Sequence, residues 1–197
     1  MEWLRGWPAA ALVLAGVLAG AAGPPPKAQR MVPGGRAGFV TDGVGGCWVW
    51  VGGIAAGVEP IIARWSGGCP DGPAEGEGRS DVRWSFGGRD RQMLFEGTLR
   101  GGKAEGQGRL THLDAGQPTV IEEGEYRRDE FVGGRFSVLA TGLVYEGGWR
   151  LGGPHGQGRA TIRGQVFEGL WENGCLRRPQ GWMSFTRPAE QCEGQPT

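Results

Sequence analysis

A glycine frame that recurs along the middle of the chain constrains the fold more than any other feature of the sequence. In three copies, one glycine is followed by a second nine residues later and by a third eleven residues later: Gly67/Gly76/Gly78, Gly97/Gly106/Gly108 and Gly147/Gly156/Gly158. Gly124 and Gly133 form a further copy, in which Arg135 stands where the last glycine is expected, as if one residue had been lost. Repetition at such a period indicates one supersecondary unit per copy, stacked on its neighbours.

The residues beside the glycines show that the frame is not an effect of composition. With 41 glycines among 197 residues, some glycine spacings must coincide by chance. The flanks agree as well, however, because residues 95–97 and 167–169 both read Phe-Glu-Gly and residues 145–147 read Tyr-Glu-Gly. We therefore predict an array of four to five units that start near residues 65, 95, 122, 145 and 167.

The unit that begins at Tyr145 indicates what each copy folds into. In residues 145–150 the aromatic side chains alternate with the charged ones, which places them on opposite faces of a strand. Residues 151–154, Leu-Gly-Gly-Pro, have the composition of a turn, and small residues alternate along 156–162. Each unit is thus predicted to be a β-hairpin whose glycines make room for an aromatic ring.

These units resemble the MORN repeat, a module of about two dozen residues with a pattern close to Y-E-G-x-W-x-x-G-x-x-H-G-x-G. The similarity is strongest at residues 145–149 and 154–158, and it extends over residues 65–182. Departures occur at Glu122, which replaces the aromatic residue of the third unit, and at residues 175–178, where a turn and a glycine pair are expected. The resemblance implies an all-β, elongated, single-layer antiparallel meander of tandem hairpins, with almost no helix beyond the N-terminus.

The chain divides into five predicted segments. These are a signal peptide at 1–21, a flexible Pro/Gly lead-in at 22–38, an N-terminal β cap at 39–64, the repeat array at 65–182, and a C-terminal cap and tail at 183–197. The apolar stretch 7–22 ends in a small-residue cleavage pattern and is shorter than the roughly 20 residues that span a bilayer as a helix. We expect an exported protein, periplasmic or secreted; the alternative is an uncleaved N-terminal segment that anchors the chain to the membrane.

Four cysteines in a short exported chain predict two disulfides, for which three connectivities exist. We pair Cys47 with Cys69 and Cys175 with Cys192, because each pair is close in sequence and brackets one end of the array.

Patterns typical of catalysis, of cofactor binding or of metal binding do not stand out. The pairs Glu75/Glu77 and Glu122/Glu123 are predicted to be exposed, and His112 and His155 look isolated, without the ligand spacing of a metal site. The 21 basic and 21 acidic residues cancel, which argues against a nucleic-acid partner. We therefore expect no enzyme activity, cofactor or metal.

The function implied by the resemblance is a non-enzymatic, bacterial, exported scaffold that binds a protein partner in the cell envelope. The alternative is a module that binds membrane lipid or a glycan through an aromatic face formed by Phe95, Tyr126, Tyr145, Trp149, Phe167 and Trp171. Packing in a core is the commoner fate of aromatic side chains in strands, and Trp48 and Trp50 of the β cap pose the same choice. Unpaired edge strands at the ends of the sheet would also allow self-association.

Overall fold

The computed structural model describes residues 30–32, 35–54, 58 and 60–192. The predicted signal peptide, most of the lead-in and the end of the C-terminal tail lie outside the described residues. The strands are β1 Arg30–Val32, β2 Gly35–Thr41, β3 Trp48–Ile54, β4 Ile62–Trp65, β5 Gly76–Phe86, β6 Arg89–Arg100, β7 Lys103–Asp114, β8 Gln117–Arg127, β9 Glu130–Val138, β10 Leu143–Arg150, β11 Gly153–Ile162, β12 Gln165–Glu172, β13 Cys175–Arg178 and β14 Gly181–Ser184. Apart from a 3₁₀ turn at Ala189–Cys192, the described part of the chain contains no helix.

Two antiparallel sheets are formed. The long sheet has 11 strands in the order β4 to β14, so that each strand pairs with its neighbours in the sequence. The small sheet has three strands in the order β1-β2-β3. The prediction of an all-β antiparallel meander of tandem hairpins is confirmed.

Corresponding residues of successive units form rows that run across the long sheet from β5 to β12. One row consists of glycines: Gly78, Gly97, Gly108, Gly124, Gly134, Gly147, Gly158 and Gly169. On the same face runs the inner row, defined as Ser80, Phe95, Leu110, Glu122, Phe136, Tyr145, Ala160 and Phe167. Between these rows, on the opposite face, runs the outer row, defined as Arg79, Glu96, Arg109, Glu123, Arg135, Glu146, Arg159 and Glu168. The two faces are called inner and outer accordingly.

Aromatic rings lie directly on the glycine row, which explains the eleven-residue spacing. A Cβ atom added at Gly108 would lie 2.6 Å from Cε2 of Phe95, and one at Gly78 would lie 2.7 Å from Cη2 of Trp65. Tyr145 covers Gly158 in the same way. Each ring therefore needs a glycine on the neighbouring strand beneath it, because any larger residue would overlap the ring.

The third unit contains one residue fewer between its paired glycines. Gly124 pairs with Gly134, whereas the spacing of the other units would have placed the last glycine at Arg135. Arg135 instead belongs to the outer row, opposite Glu123 and Glu146. The shortened spacing therefore keeps the alternation of the two faces intact through β9.

The small sheet covers part of the inner face. Val49 and Val51 of β3 belong to the same buried cluster as Phe95 and Tyr126 of the long sheet. The backbone of β3 is held to the hairpin turns, since the N–H of Trp50 donates to the carbonyl of Gly102 at 2.7 Å. The first half of the array is consequently two layers thick.

A second buried cluster lies farther along the inner face. It contains Tyr145 and Trp171, and Phe185, which follows β14, packs against both rings at centroid distances of 5.8 and 5.3 Å. Trp149 packs against both clusters. The C-terminal segment thus covers the last units much as β3 covers the first ones.

Asp42 ties the small sheet to the first strand of the long one. Its buried carboxylate accepts backbone N–H bonds from Val44 at 2.6 Å, Gly45 at 3.1 Å and Trp65 at 2.7 Å. Burial alone would raise the pKa of Asp42, but these donors outweigh it and hold the pKa below its ordinary value. The charged carboxylate is therefore the form that the fold favours.

Both predicted disulfides are present. Cys47–Cys69 joins the segment before β3 to the loop after β4, and Cys175–Cys192 joins β13 to the 3₁₀ turn, with Cα separations of 5.5 and 5.7 Å. In the chain-entropy model, closing loops of this size contributes about 3 kcal/mol each. The two bonds indicate an oxidising environment, extracellular or periplasmic.

The contact between ring and glycine can be tested by adding one methyl group. Gly158→Ala should lower the free energy of unfolding by about 1–3 kcal/mol, because the new Cβ overlaps the ring of Tyr145. Gly68→Ala is the control, since no atom lies within 4 Å of a Cβ at that position. Urea unfolding of the two variants measures the difference, and equal losses would contradict the explanation of the glycine frame.

Candidate functional site

The six aromatic residues predicted to form a binding face do not form one continuous exposed surface. Phe95, Tyr126, Tyr145 and Trp171 are buried, with 6%, 2%, 0% and 0% exposure. Trp149 and Phe167 are half-buried. The reason is that the small sheet and the segment around Phe185 cover the inner face, so most of these rings pack in the two cores. In the small sheet, Trp50 is buried as well.

A cavity of about 480 Å³ remains between β3 and the inner face of the long sheet. Its walls are mainly apolar, and they include Val49, Val51, Val82, Met93, Leu99, Leu110 and Phe131. The exposed residues Arg128, Glu130 and Arg150 also line it, and they mark its opening to solvent. A largely apolar cavity of this size with a few polar groups is typical of sites that bind small molecules.

Glu122 brings a carboxylate into this cavity. It is the only acidic residue of the inner row, where it lies between Leu110 and Phe136 on the adjacent strands. Its side chain is 16% exposed, whereas that of Glu123 on the outer face is 44% exposed. The prediction that Glu122 is exposed is therefore wrong: neighbouring residues of a strand point to opposite faces, and Glu122 takes the inward one.

Two polar side chains lie beside this carboxylate. The hydroxyl of Tyr126, four residues along β8, donates a hydrogen bond of 3.1 Å to Oε2 of Glu122. Nε2 of His112 lies 3.9 Å from Oε1, beyond hydrogen-bond distance. His112, which looked isolated in the sequence, thus faces the same cavity as Glu122 and Tyr126.

The missing ring of the third unit explains the space around Glu122. In the units of Phe95 and Tyr145 a ring covers the paired glycines, but the atoms nearest to a Cβ at Gly124 belong to the backbone of Gly133 and Gly134. Because the third unit has a glutamate at this position of the inner row, no aromatic ring from that position covers Gly124 and Gly134. The departure from the repeat pattern was thus the one signal in the sequence that marked the site.

The apolar surroundings change the charge of these groups. Burial raises the pKa of Glu122 from 4.5 to about 7, and the hydrogen bond from Tyr126 offsets only part of this rise. Burial also lowers the pKa of His112. The pKa of Tyr126 is raised, first by burial and then by the neighbouring negative charge of Glu122. Near neutral pH, the carboxyl group is therefore the member of this cluster that changes its charge.

The arrangement lacks the geometry of a catalytic triad. Ser80 also lines the cavity, but it lies on β5 and His112 lies on β7, with β6 between them. Two strand spacings amount to roughly 10 Å, which is too far for a hydrogen bond between the two side chains. In the described residues, no three His, Cys, Asp or Glu side chains are grouped so that they could hold a metal ion. No helix among these residues is long and apolar enough to cross a membrane.

The outer face has a different character. Its row alternates Arg and Glu from strand to strand, and ion pairs join Arg135 to Glu146 at 2.8 Å and Arg159 to Glu168 at 3.2 Å. Each of these side chains is about half exposed, so each pair contributes roughly 0.2–1 kcal/mol. These pairs fix the strand register and keep the outer face solvated.

Comparison with protein-family models and with curated proteins finds no match to this chain. The role of the cavity must therefore be inferred from its own residues.

The unusual state of Glu122 should appear in the pH dependence of stability. Its pKa is higher in the folded chain than in the unfolded one, so its stabilising contribution is complete below about pH 4.5 and is lost as the pH rises through about 7. The free energy of unfolding of the wild type, relative to that of Glu122→Gln, should therefore be larger at pH 5 than at pH 8. His112 is present in both proteins, so the part of its opposite dependence that does not involve Glu122 cancels in the comparison.

Urea unfolding at several pH values between these limits measures this difference. Glu123→Gln is the matched control, since it removes a carboxylate from the neighbouring residue on the exposed face. A difference between wild type and Glu122→Gln that stays constant with pH would show that Glu122 is not held in an apolar environment.

Proposed function

We propose that this chain is a non-enzymatic, exported repeat protein of the MORN type that binds a small ligand between its two sheets. The observation that carries the proposal is the cavity itself, which combines apolar walls with a single inward carboxylate of the inner row. Stacked hairpins with a repeating glycine row support the assignment to the MORN type. The two disulfides support export.

Binding without chemistry is favoured by the arrangement of the polar groups. Glu122 and His112 do not form a hydrogen bond to each other, and Ser80 is two strands away from the histidine. A carboxyl group that is buried mainly among apolar residues can still recognise the polar end of a ligand. In this proposal the aromatic residues form the cavity walls and the core. The alternative drawn from the sequence instead placed the ligand on an exposed aromatic face.

A second candidate function is a scaffold for a protein partner in the cell envelope. The observation that favours it is the outer row, in which exposed Arg and Glu alternate across the strands from β5 to β12. With about 4.8 Å between strands, such a row presents a charge pattern roughly 34 Å long. A partner with the complementary pattern would be recognised without entering the cavity.

Ligand binding by the cavity can be measured with a neutral apolar dye. N-phenyl-1-naphthylamine should become more fluorescent on binding to the oxidised protein. Leu110→Trp should abolish the increase, because Leu110 lines the cavity beside Glu122 and a larger side chain there fills the space. Leu170→Trp is the control with the same substitution at an exposed position. An equal signal from both variants, with both folded, would contradict binding in the cavity.

Binding by the outer face can be measured by photo-crosslinking in the producing cell. A photoreactive residue at exposed position Gln157, on the outer face of β11, should form an adduct with a protein partner if the scaffold proposal holds. The double reversal Arg109→Glu and Arg135→Glu should remove this adduct, because it breaks the alternation of charge. The same photoreactive residue at exposed Phe86, in the β5–β6 hairpin tip, is the control. Adducts that persist after the reversal, or that are absent altogether, would exclude the outer row as the partner site.

A further inference from the structure

We infer that the cavity takes a small organic cation, whose ammonium group lies against the carboxylate of Glu122 and whose apolar groups lie against the aromatic wall. This inference rests on the proposed function, namely that the cavity binds a ligand. It assigns the chemical class of that ligand and the residue that recognises it.

The carboxylate of Glu122 has unused capacity to accept a ligand. An ionised carboxylate offers about four lone-pair positions. Among the described residues, Glu122 receives one hydrogen bond, from the hydroxyl of Tyr126, and the imidazole of His112 lies 3.9 Å from the other oxygen. A positively charged group that enters the cavity can therefore contact this oxygen without displacing a protein donor.

The wall of the cavity is suited to a cation that also carries apolar groups. Phe95, Tyr126, Phe131 and Trp149 all line it, and successive rings are 5.3, 5.4 and 5.8 Å apart between centroids. The faces of aromatic rings attract cations, and rings combined with a carboxylate are the usual means of recognising alkylammonium groups. Above about pH 7, where Glu122 is ionised, an anionic ligand would instead meet its negative charge, and a fully apolar ligand would leave that charge buried without a partner.

Among the residues that the structure describes, no fixed positive charge lies beside Glu122 in the deep part of the cavity. His112 of β7 faces Glu122 across the sheet, and burial lowers the pKa of its imidazole, which favours the neutral form. Tyr126 of β8 is neutral, and β3 contributes Val49 and Val51. Asp129 of the β8–β9 turn and Glu130, the first residue of β9, also line the cavity, as do the arginines at its opening, Arg128 and Arg150.

Cation binding and loss of the proton from Glu122 are therefore coupled. The empty cavity favours the protonated carboxyl group because burial raises its pKa to about 7. A bound cation favours the carboxylate, so binding below about pH 7 must release a proton. Affinity for a cation of fixed charge should consequently rise with pH and level off above about pH 7.

Two probes of the same shape separate charge from apolar contact. Phenyltrimethylammonium and tert-butylbenzene differ only in a nitrogen that replaces a carbon, and the nitrogen gives the first its permanent charge. At about pH 8 the cation should bind about tenfold more tightly or better, measured by calorimetry or by displacement of N-phenyl-1-naphthylamine. Titrations at about pH 6 in two buffers of different ionisation enthalpy should show proton release with the cation alone.

Glu122→Gln should lower the affinity for phenyltrimethylammonium by about tenfold or more and leave that for tert-butylbenzene unchanged. Glu123→Gln on the outer face is the matched control and should change neither. If Glu122→Gln does not fold, the difference in affinity between the two probes and the proton release at about pH 6, both measured on the unaltered protein, test the inference in its place.

The outcomes separate this inference from the proposed function. Equal binding of both probes, or cation binding that survives Glu122→Gln in a folded protein, overturns the assignment of an organic cation but leaves a ligand-binding cavity. Preference for benzoate over phenyltrimethylammonium overturns it in the same way. If none of the probes and no dye binds to the folded protein, the proposed function fails as well.

Discussion

The contact between an aromatic ring and the glycines beneath it is the constraint on which the rest of this structure depends. A ring such as Tyr145 can lie flat on the sheet only if its own strand and the next strand present glycine at the same level, here Gly147 and Gly158. Where such a ring is present, between β4 and β5, β6 and β7, and β10 and β11, this requirement sets the pairing register, because a shift by one residue would place a side chain under the ring and turn the strand over. Once the register is set, the outer row of alternating Arg and Glu and the inner row of mainly apolar residues follow without further choice.

Local rules of this kind made most of the fold predictable from the sequence. Alternation with period two identified the strands, the eleven-residue spacing identified which strands pair, and proximity identified the disulfides Cys47–Cys69 and Cys175–Cys192. The docking of β3 and of Phe185 onto the inner face could not be predicted, because no periodic pattern in either segment specifies the surface that it contacts. For that reason the sequence left open whether Phe95 and Trp171 pack in a core or form an exposed binding face, and the structure shows both buried.

The cavity illustrates how a departure from a repeat can carry function. In the inner row, Glu122 is an acidic residue at a position that other units fill with Phe95, Tyr145 or Phe167. Positions where a residue departs from the pattern that its fold requires are expected to be functional or strained sites. The departure was visible in the sequence, but its meaning depended on the face to which Glu122 points and on β3 above it. The sequence showed only that Glu122 and Glu123 form a pair of carboxylates, a pattern typical of a solvated surface, so neither the direction of Glu122 nor the position of β3 could be deduced.

The two faces of the sheet differ in how much binding free energy they can supply. On the outer face Arg135 and Glu146 already pair with each other in water, so a partner protein must replace contacts that exist and gains little from each one. Glu122 is in the opposite situation, because its ionised form loses hydration in the fold and receives one hydrogen bond in return. Above about pH 7, where the carboxyl group is ionised in the empty cavity, a ligand that supplies a positive charge offsets this loss of hydration. The interior carboxylate, rather than the charged exterior, is thus the group whose state a ligand can change most.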